Sequence, residues 1–90
     1  MTARTVAAVD LGAESGRVAR VDFDGERLHL DVVHRFTHTP REIEGVLRWN
    51  MATLGGGIRH GLAALAAGDT DIASVGVDGW GVDYGLLDRG

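Results

Sequence analysis

The sequence predicts a small α/β domain of element order β-β-β-(short β)-α-β-β. Three observations predict it. Two short apolar runs, Val6–Val9 and Ile72–Val77, each end in an aspartate and have the character of strands buried in a sheet. Two stretches in the first forty residues alternate apolar and polar side chains. One later stretch carries apolar residues at spacings of three and four, the period of one helical face.

The elements follow in order. Val6-Ala7-Ala8-Val9 forms the first strand, ending in Asp10. Leu11 to Arg17 is a turn with glycines at 12 and 16. Arg17 to Asp24 is the second strand, with Ala19, Val21 and Phe23 on one side. Asp24-Gly25 is a hairpin signal, because glycine tolerates positive φ. Arg27 to Phe36 pairs back as the third strand, which makes the opening a meander. Thr37 to Gly45 is polar, holds the only proline and reads as a surface connection. Val46-Leu47-Arg48-Trp49 is the short strand. Asn50 is placed to cap a helix whose buried face is Met51, Leu54, Ile58, Leu62 and Leu65, with Gly68 closing it. Gly55-Gly56-Gly57 weakens the helix start, at about 1 kcal/mol per glycine against alanine. The apolar period runs through it, and no strand feeds it as a phosphate loop would require. Ile72 to Asp78 is a strand, Gly79-Trp80-Gly81 a turn, and Val82 to Asp88 the last strand. The chain stops at Asp88-Arg89-Gly90, which reads as the opening of a turn, so a piece of a longer protein is expected.

Composition narrows the chemistry. Hydrophobic residues make up 44% of the 90, which is globular. No uncharged apolar run spans a bilayer, and no leader pattern opens the chain, so a cytoplasmic protein away from membranes is expected. With no cysteine there is no disulfide framework, zinc thiolate or thiol nucleophile. The net charge of −4 argues against nucleic acid as a partner. All nine basic residues are arginine. A Walker A loop, a protein-kinase third strand and a Schiff base each need a lysine. Phosphate chemistry here must therefore use backbone N–H groups, arginine and a carboxylate-held metal. The histidines are poorly spaced for a metal, since His34 and His38 fall on a strand and a loop. His60 and Arg59 are expected on the exposed side of the helix. Asp22, Asp24, Glu26, Glu42 and Glu44 are expected to be solvated.

Two stretches carry candidate chemistry. In Asp10-Leu11-Gly12-Ala13-Glu14-Ser15-Gly16-Arg17, a carboxylate at a strand end faces the crevice where open α/β sheets bind ligands. Gly12 and Gly16 let backbone N–H groups approach an anion, Ser15 adds a hydroxyl and Arg17 a forked donor. Asp10 suits Mg²⁺. The same residues also spell an ordinary hairpin. In Asp78-Gly79-Trp80-Gly81-Val82-Asp83, a second strand-end carboxylate would stand beside the first. Trp80 offers a face for a sugar, Gly81 close backbone approach and Asp83 an acceptor. The alternative is a turn in which Trp80 plugs the core.

At these motifs the chain resembles a known family. Val9 to Val18 looks like the first phosphate motif of the actin/hexokinase/Hsp70 superfamily, and more closely like the opening of the FGGY carbohydrate kinases. Its Ala-x-Ser-Gly-Arg form, the run from Ser74 to Asp88, His34-Arg35-Phe36 and Leu47-x-Trp49 resemble the branch that phosphorylates rhamnulose. The resemblance implies a ribonuclease-H-like fold, with residues 1–90 an incomplete N-terminal portion of lobe one. It implies ATP as phosphoryl donor, Mg²⁺, and a sugar as the small-molecule partner. By resemblance the nucleotide contacts are Asp10, Gly12, Ala13, Glu14, Ser15, Gly16 and Arg17, with Asp10 organising the metal. Trp80, Gly81 and Asp83 match the sugar side. The catalytic base is implied downstream, so none is expected among these residues and the 90-residue chain is expected to be inactive alone. Gly79 stands where threonine is expected, and Asn50 where aspartate is. Another FGGY sugar kinase, a ribonuclease-H-like metal-dependent nuclease, a sugar-sensing or actin-like module and a non-functional remnant remain alternatives.

Overall fold

The structure, a computed structural model, describes residues 3–90. In chain order the elements are β1 (Arg4–Leu11), β2 (Ser15–Phe23), β3 (Leu28–Thr37), β4 (Arg41–Ile43), β5 (Val46–Arg48), α1 (Met51–Ala66) and β6 (Val75–Asp78). The first three strands form the expected antiparallel meander. β6 lies parallel on the other side of β1, giving the order β3-β2-β1-β6. The chain is thus a small α/β domain with a mixed sheet and one helix.

α1 covers one face of the sheet. Ala7, Val9, Val18 and Leu65 form the buried centre, with Leu11, Val33, Ile58, Leu62 and Ile72 packed around them. The helix glycines take part in this contact. A Cβ on Gly57 or on Gly16 would come within 2.8 Å of Phe36 ring carbons, since that ring fills the space between β2 and α1. A Cβ on Gly61 would meet Val18. The helical penalty of these glycines is therefore offset by close approach to the sheet. The Asn50 side chain caps α1 by accepting from the Thr53 N–H at 3.2 Å.

Several expectations are corrected. The polar connection after Thr37 contains β4, which pairs with β5 across a turn at Glu44-Gly45. Both turn residues have positive φ, 52° and 79°, the geometry of a two-residue hairpin turn of mirror-image type. Val82 to Asp88 is not a strand. Its Val82, Tyr84, Leu86 and Leu87 are 81% to 96% exposed, and no described strand runs beside it to supply a ladder. Gly68 does not close the helix in the left-handed conformation. Ala67 is the cap, and the Gly68 N–H bonds the Leu65 carbonyl at 3.1 Å, so the last turn simply tightens. Met51 is 69% exposed rather than part of the buried face. Asp22 is not a free surface charge, since it accepts from the Thr5 hydroxyl at 2.6 Å and from the Arg20 Nε at 3.0 Å. Asp24 is exposed, as expected, and also accepts from the backbone N–H groups of Glu26 and Arg27, closing the β2–β3 turn over Gly25 at φ 105°.

Candidate functional site

β1 carries Asp10 to its C-terminal end, and the register fixes its neighbours. Arg17 stands opposite in β2 and Asp78 opposite in the parallel β6. Two carboxylates therefore sit side by side on adjacent strands, at one end of the sheet. Asp10 and Arg17 form an ion pair with both side chains about half exposed. Such a pair contributes roughly 0–1 kcal/mol, so what it fixes is placement rather than stability. Arg17 is held on Asp10, not extended freely into solvent. Asp10, Arg17, Ala8, Ala19, Leu30 and Val32 line one open cavity. Among the described residues no three metal-binding side chains gather.

The β1–β2 turn is short and tightly closed. The Gly12 N–H bonds the Ser15 carbonyl at 2.8 Å, and a Cβ on Gly12 would lie 3.2 Å from that same oxygen. Ala13, Glu14 and Ser15 are exposed at its tip. Gly16 is different: it is buried in β2 under Phe36, so its role in the fold is packing. Neither glycine has positive φ, which makes space rather than backbone conformation the reason for both.

The second stretch folds back on Trp49. Trp80 stacks on Trp49, with ring centroids 4.3 Å apart and planes 16° from parallel. One broad face of Trp80 is thereby covered. Asp83 is already engaged, accepting from the Trp49 Nε1–H at 2.6 Å and from the Tyr84 N–H at 2.9 Å. Gly81 is exposed, and a Cβ there would meet nothing within 4 Å.

Two residues of this region carry no site signal of their own in the sequence. Trp49 reads only as part of the Leu47-x-Trp49 pair, and His38 is one of four histidines without metal spacing. His38 is 4% exposed and sits between the two stretches. Its N–H bonds the Glu14 carbonyl at 3.0 Å, and its Nε2 donates to the Gly12 carbonyl at 2.8 Å. Its ring also lies 5.8 Å from Trp49 and 6.1 Å, edge-on, from Trp80. Only the conjunction of a buried histidine with two tryptophans marks it, and that conjunction is tertiary.

No protein-family model matches the chain. Curated relatives do. Over 91 aligned residues, 99% of the chain is 44% identical to rhamnulokinase of Klebsiella pneumoniae subsp. pneumoniae. The same figures hold for rhamnulokinase of Klebsiella pneumoniae strain 342. The chain spans 19% of the length of these relatives.

Proposed function

We propose, from a chain related to the rhamnulokinases along virtually its whole length, that it is the N-terminal part of an ATP-dependent kinase of FGGY type. The reaction is transfer of the γ-phosphoryl group of ATP to the 1-hydroxyl of L-rhamnulose, giving L-rhamnulose 1-phosphate, in the cytoplasm. Residues 1–90 are an incomplete part of lobe one, in the ribonuclease-H-like fold. The observation that carries the reading is the 44% identity across 99% of the chain.

The geometry supports a division of labour. Asp10 and Asp78 make a donor set that suits Mg²⁺, which takes one or two carboxylates and completes its shell with phosphates and water. The ion would neutralise charge on the phosphates during transfer. Ala13, Glu14 and Ser15 bring the exposed tip of the turn to the phosphates, Gly12 and Gly16 hold its base closed, and Arg17, oriented by Asp10, supplies a forked cation. Gly81 lets the sugar approach the backbone, and the stacked Trp80 with Asp83 stiffens that turn. Phosphoryl transfer is mostly positioning and charge stabilisation, which is what these residues provide. The base that takes the hydroxyl proton lies outside them.

The test is a replacement. The matched stretch of Klebsiella pneumoniae rhamnulokinase is exchanged for this chain, and ATP-dependent phosphorylation of L-rhamnulose is assayed. The exchanged enzyme should be active, and its Asp10→Asn variant should lose most of that activity. A folded exchanged enzyme with no sugar-dependent ATP turnover would overturn the kinase reading. Turnover by the 90-residue chain alone would overturn its being an incomplete part.

A further inference from the structure

We infer that His38 is a positioning residue that couples the β1–β2 turn to the Trp49–Trp80 pair. Three observations meet at this side chain. It grips the turn twice, through its N–H to the Glu14 carbonyl and its Nε2 to the Gly12 carbonyl. Its ring stands against both indoles, with centroids 5.8 Å from Trp49 and 6.1 Å from Trp80. It is 4% exposed, so it cannot swing out to solvent without opening the region.

The chemistry of the imidazole sharpens this. A carbonyl oxygen only accepts, so the Gly12 bond requires the proton on Nε2. Nδ1 then carries a lone pair, and it is buried with no partner among the described residues. The Trp80 Nε1 is likewise buried and unpartnered. A ring placed only to fill space would be served equally by phenylalanine, with no polar atom left over. The one function of the imidazole that phenylalanine lacks here is the bond to the turn. A displacement of Trp49 or Trp80 is thus transmitted to Gly12, and a displacement of the turn to the indoles. This deepens the reading of the two stretches as nucleotide and sugar sides of one kinase site, because a single side chain would make them respond together. The coupling is read without ligand or turnover, so its failure is distinct from failure of the kinase reading.

The experiment is nuclear magnetic resonance with ¹⁵N-labelled histidine, together with hydrogen-exchange mass spectrometry, on the ligand-free exchanged kinase carrying this chain. In the unsubstituted chain the ring ¹⁵N signals of His38 should show the Nε2–H tautomer; the Nδ1–H tautomer would overturn the proposal without any variant. Amide hydrogen exchange at Gly12 is then followed in variants. His38→Phe should speed it about three- to tenfold, the loss of one net hydrogen bond. His38→Gln keeps a donor at the Nε2 position and should restore the slower exchange. Trp49→Leu should speed Gly12 exchange in the parent chain and leave it unchanged in both His38 backgrounds. Equal effects of Trp49→Leu with and without His38 would overturn the coupling. So would Gly12 exchange indifferent to His38→Phe.

Discussion

At the scale of single residues, the glycines separate fold from site. Gly81 has open space around its Cα and no positive φ, so the fold does not require glycine there. Gly81→Val should leave the melting temperature of the 90-residue chain unchanged. In the exchanged kinase it should raise KM for the sugar with little change for ATP. Unaltered sugar kinetics would remove Gly81 from the sugar side. Arg17→Ala should act on the other substrate. Loss of a charged hydrogen-bond donor costs about 1.5–3 kcal/mol, so kcat/KM for ATP should fall by roughly tenfold or more while sugar binding holds. The strand-end aspartates were legible because an apolar run ending in a carboxylate is a local pattern. Their juxtaposition follows once both runs are strands of one sheet. The Asp10–Arg17 pair is not among the sequence expectations, although counting outward from a tight turn sets the two opposite. His38 and Trp49 were not legible, since their contacts span β3, the β4–β5 hairpin and the turn after β6.

At the scale of elements, α1 distinguishes two adjacent glycines. A Cβ on Gly56 meets nothing within 4 Å, whereas one on Gly57 meets the Phe36 ring. Gly56→Ala should stabilise the chain by about 0.5–1 kcal/mol through helix propensity, and Gly57→Ala should destabilise it by about 1–3 kcal/mol through overpacking. Urea melts of both variants check the pair of signs. The β2–β3 end has its own pH dependence. The Thr5 hydroxyl, and then Arg20, hold Asp22 below its ordinary value of 3.8. The Arg27 and Glu26 N–H groups do the same for Asp24. A depressed carboxyl stabilises the fold above its unfolded pKa and ceases to do so as pH falls through the folded value. Thermal melts should therefore drop as pH falls below 3.8, and Asp24→Asn should blunt that drop. The meander and helix were legible from period alone. The β4–β5 hairpin was not, because glutamate at positive φ is rare enough that Glu44-Gly45 does not announce a turn. Val82 to Asp88 shows the converse error: alternation describes a side-chain pattern, and a strand also needs a neighbour.

At the scale of the whole molecule, the chain is extended for its size. Its radius of gyration is 15.7 Å, against about 12 Å for a compact domain of this length. Its surface is 6971 Å², against about 5000 Å² for a self-contained protein of this mass. Part of the excess lies on the sheet face away from α1, where Leu28 and Leu30 are 69% and 66% exposed. Exposed apolar area of this kind promotes association. Sedimentation of the isolated chain should show self-association that rises with concentration and weakens in a Leu28→Glu, Leu30→Glu double variant. A monodisperse monomer across the concentration range would contradict this.

The parallel contact between β1 and β6 has a consequence in time. Ala7 meets Val75 and Asp10 meets Asp78 only after all the intervening chain has been laid down and folded back. The β1–β2–β3 hairpins close over short loops, so they can form within microseconds, whereas closing a long loop is paid for entirely in advance. β6 is accordingly the last strand to join, and the second carboxylate of the candidate site arrives with it. In stopped-flow refolding, Ile72→Ala, on the segment that leads into β6 and packs against the core, should leave the folding rate nearly unchanged and speed unfolding, the mark of a contact absent from the transition state. Truncation in β2, Val21→Ala, should slow folding. A ribosome-bound chain would then hold a finished meander and helix before it holds any paired carboxylates.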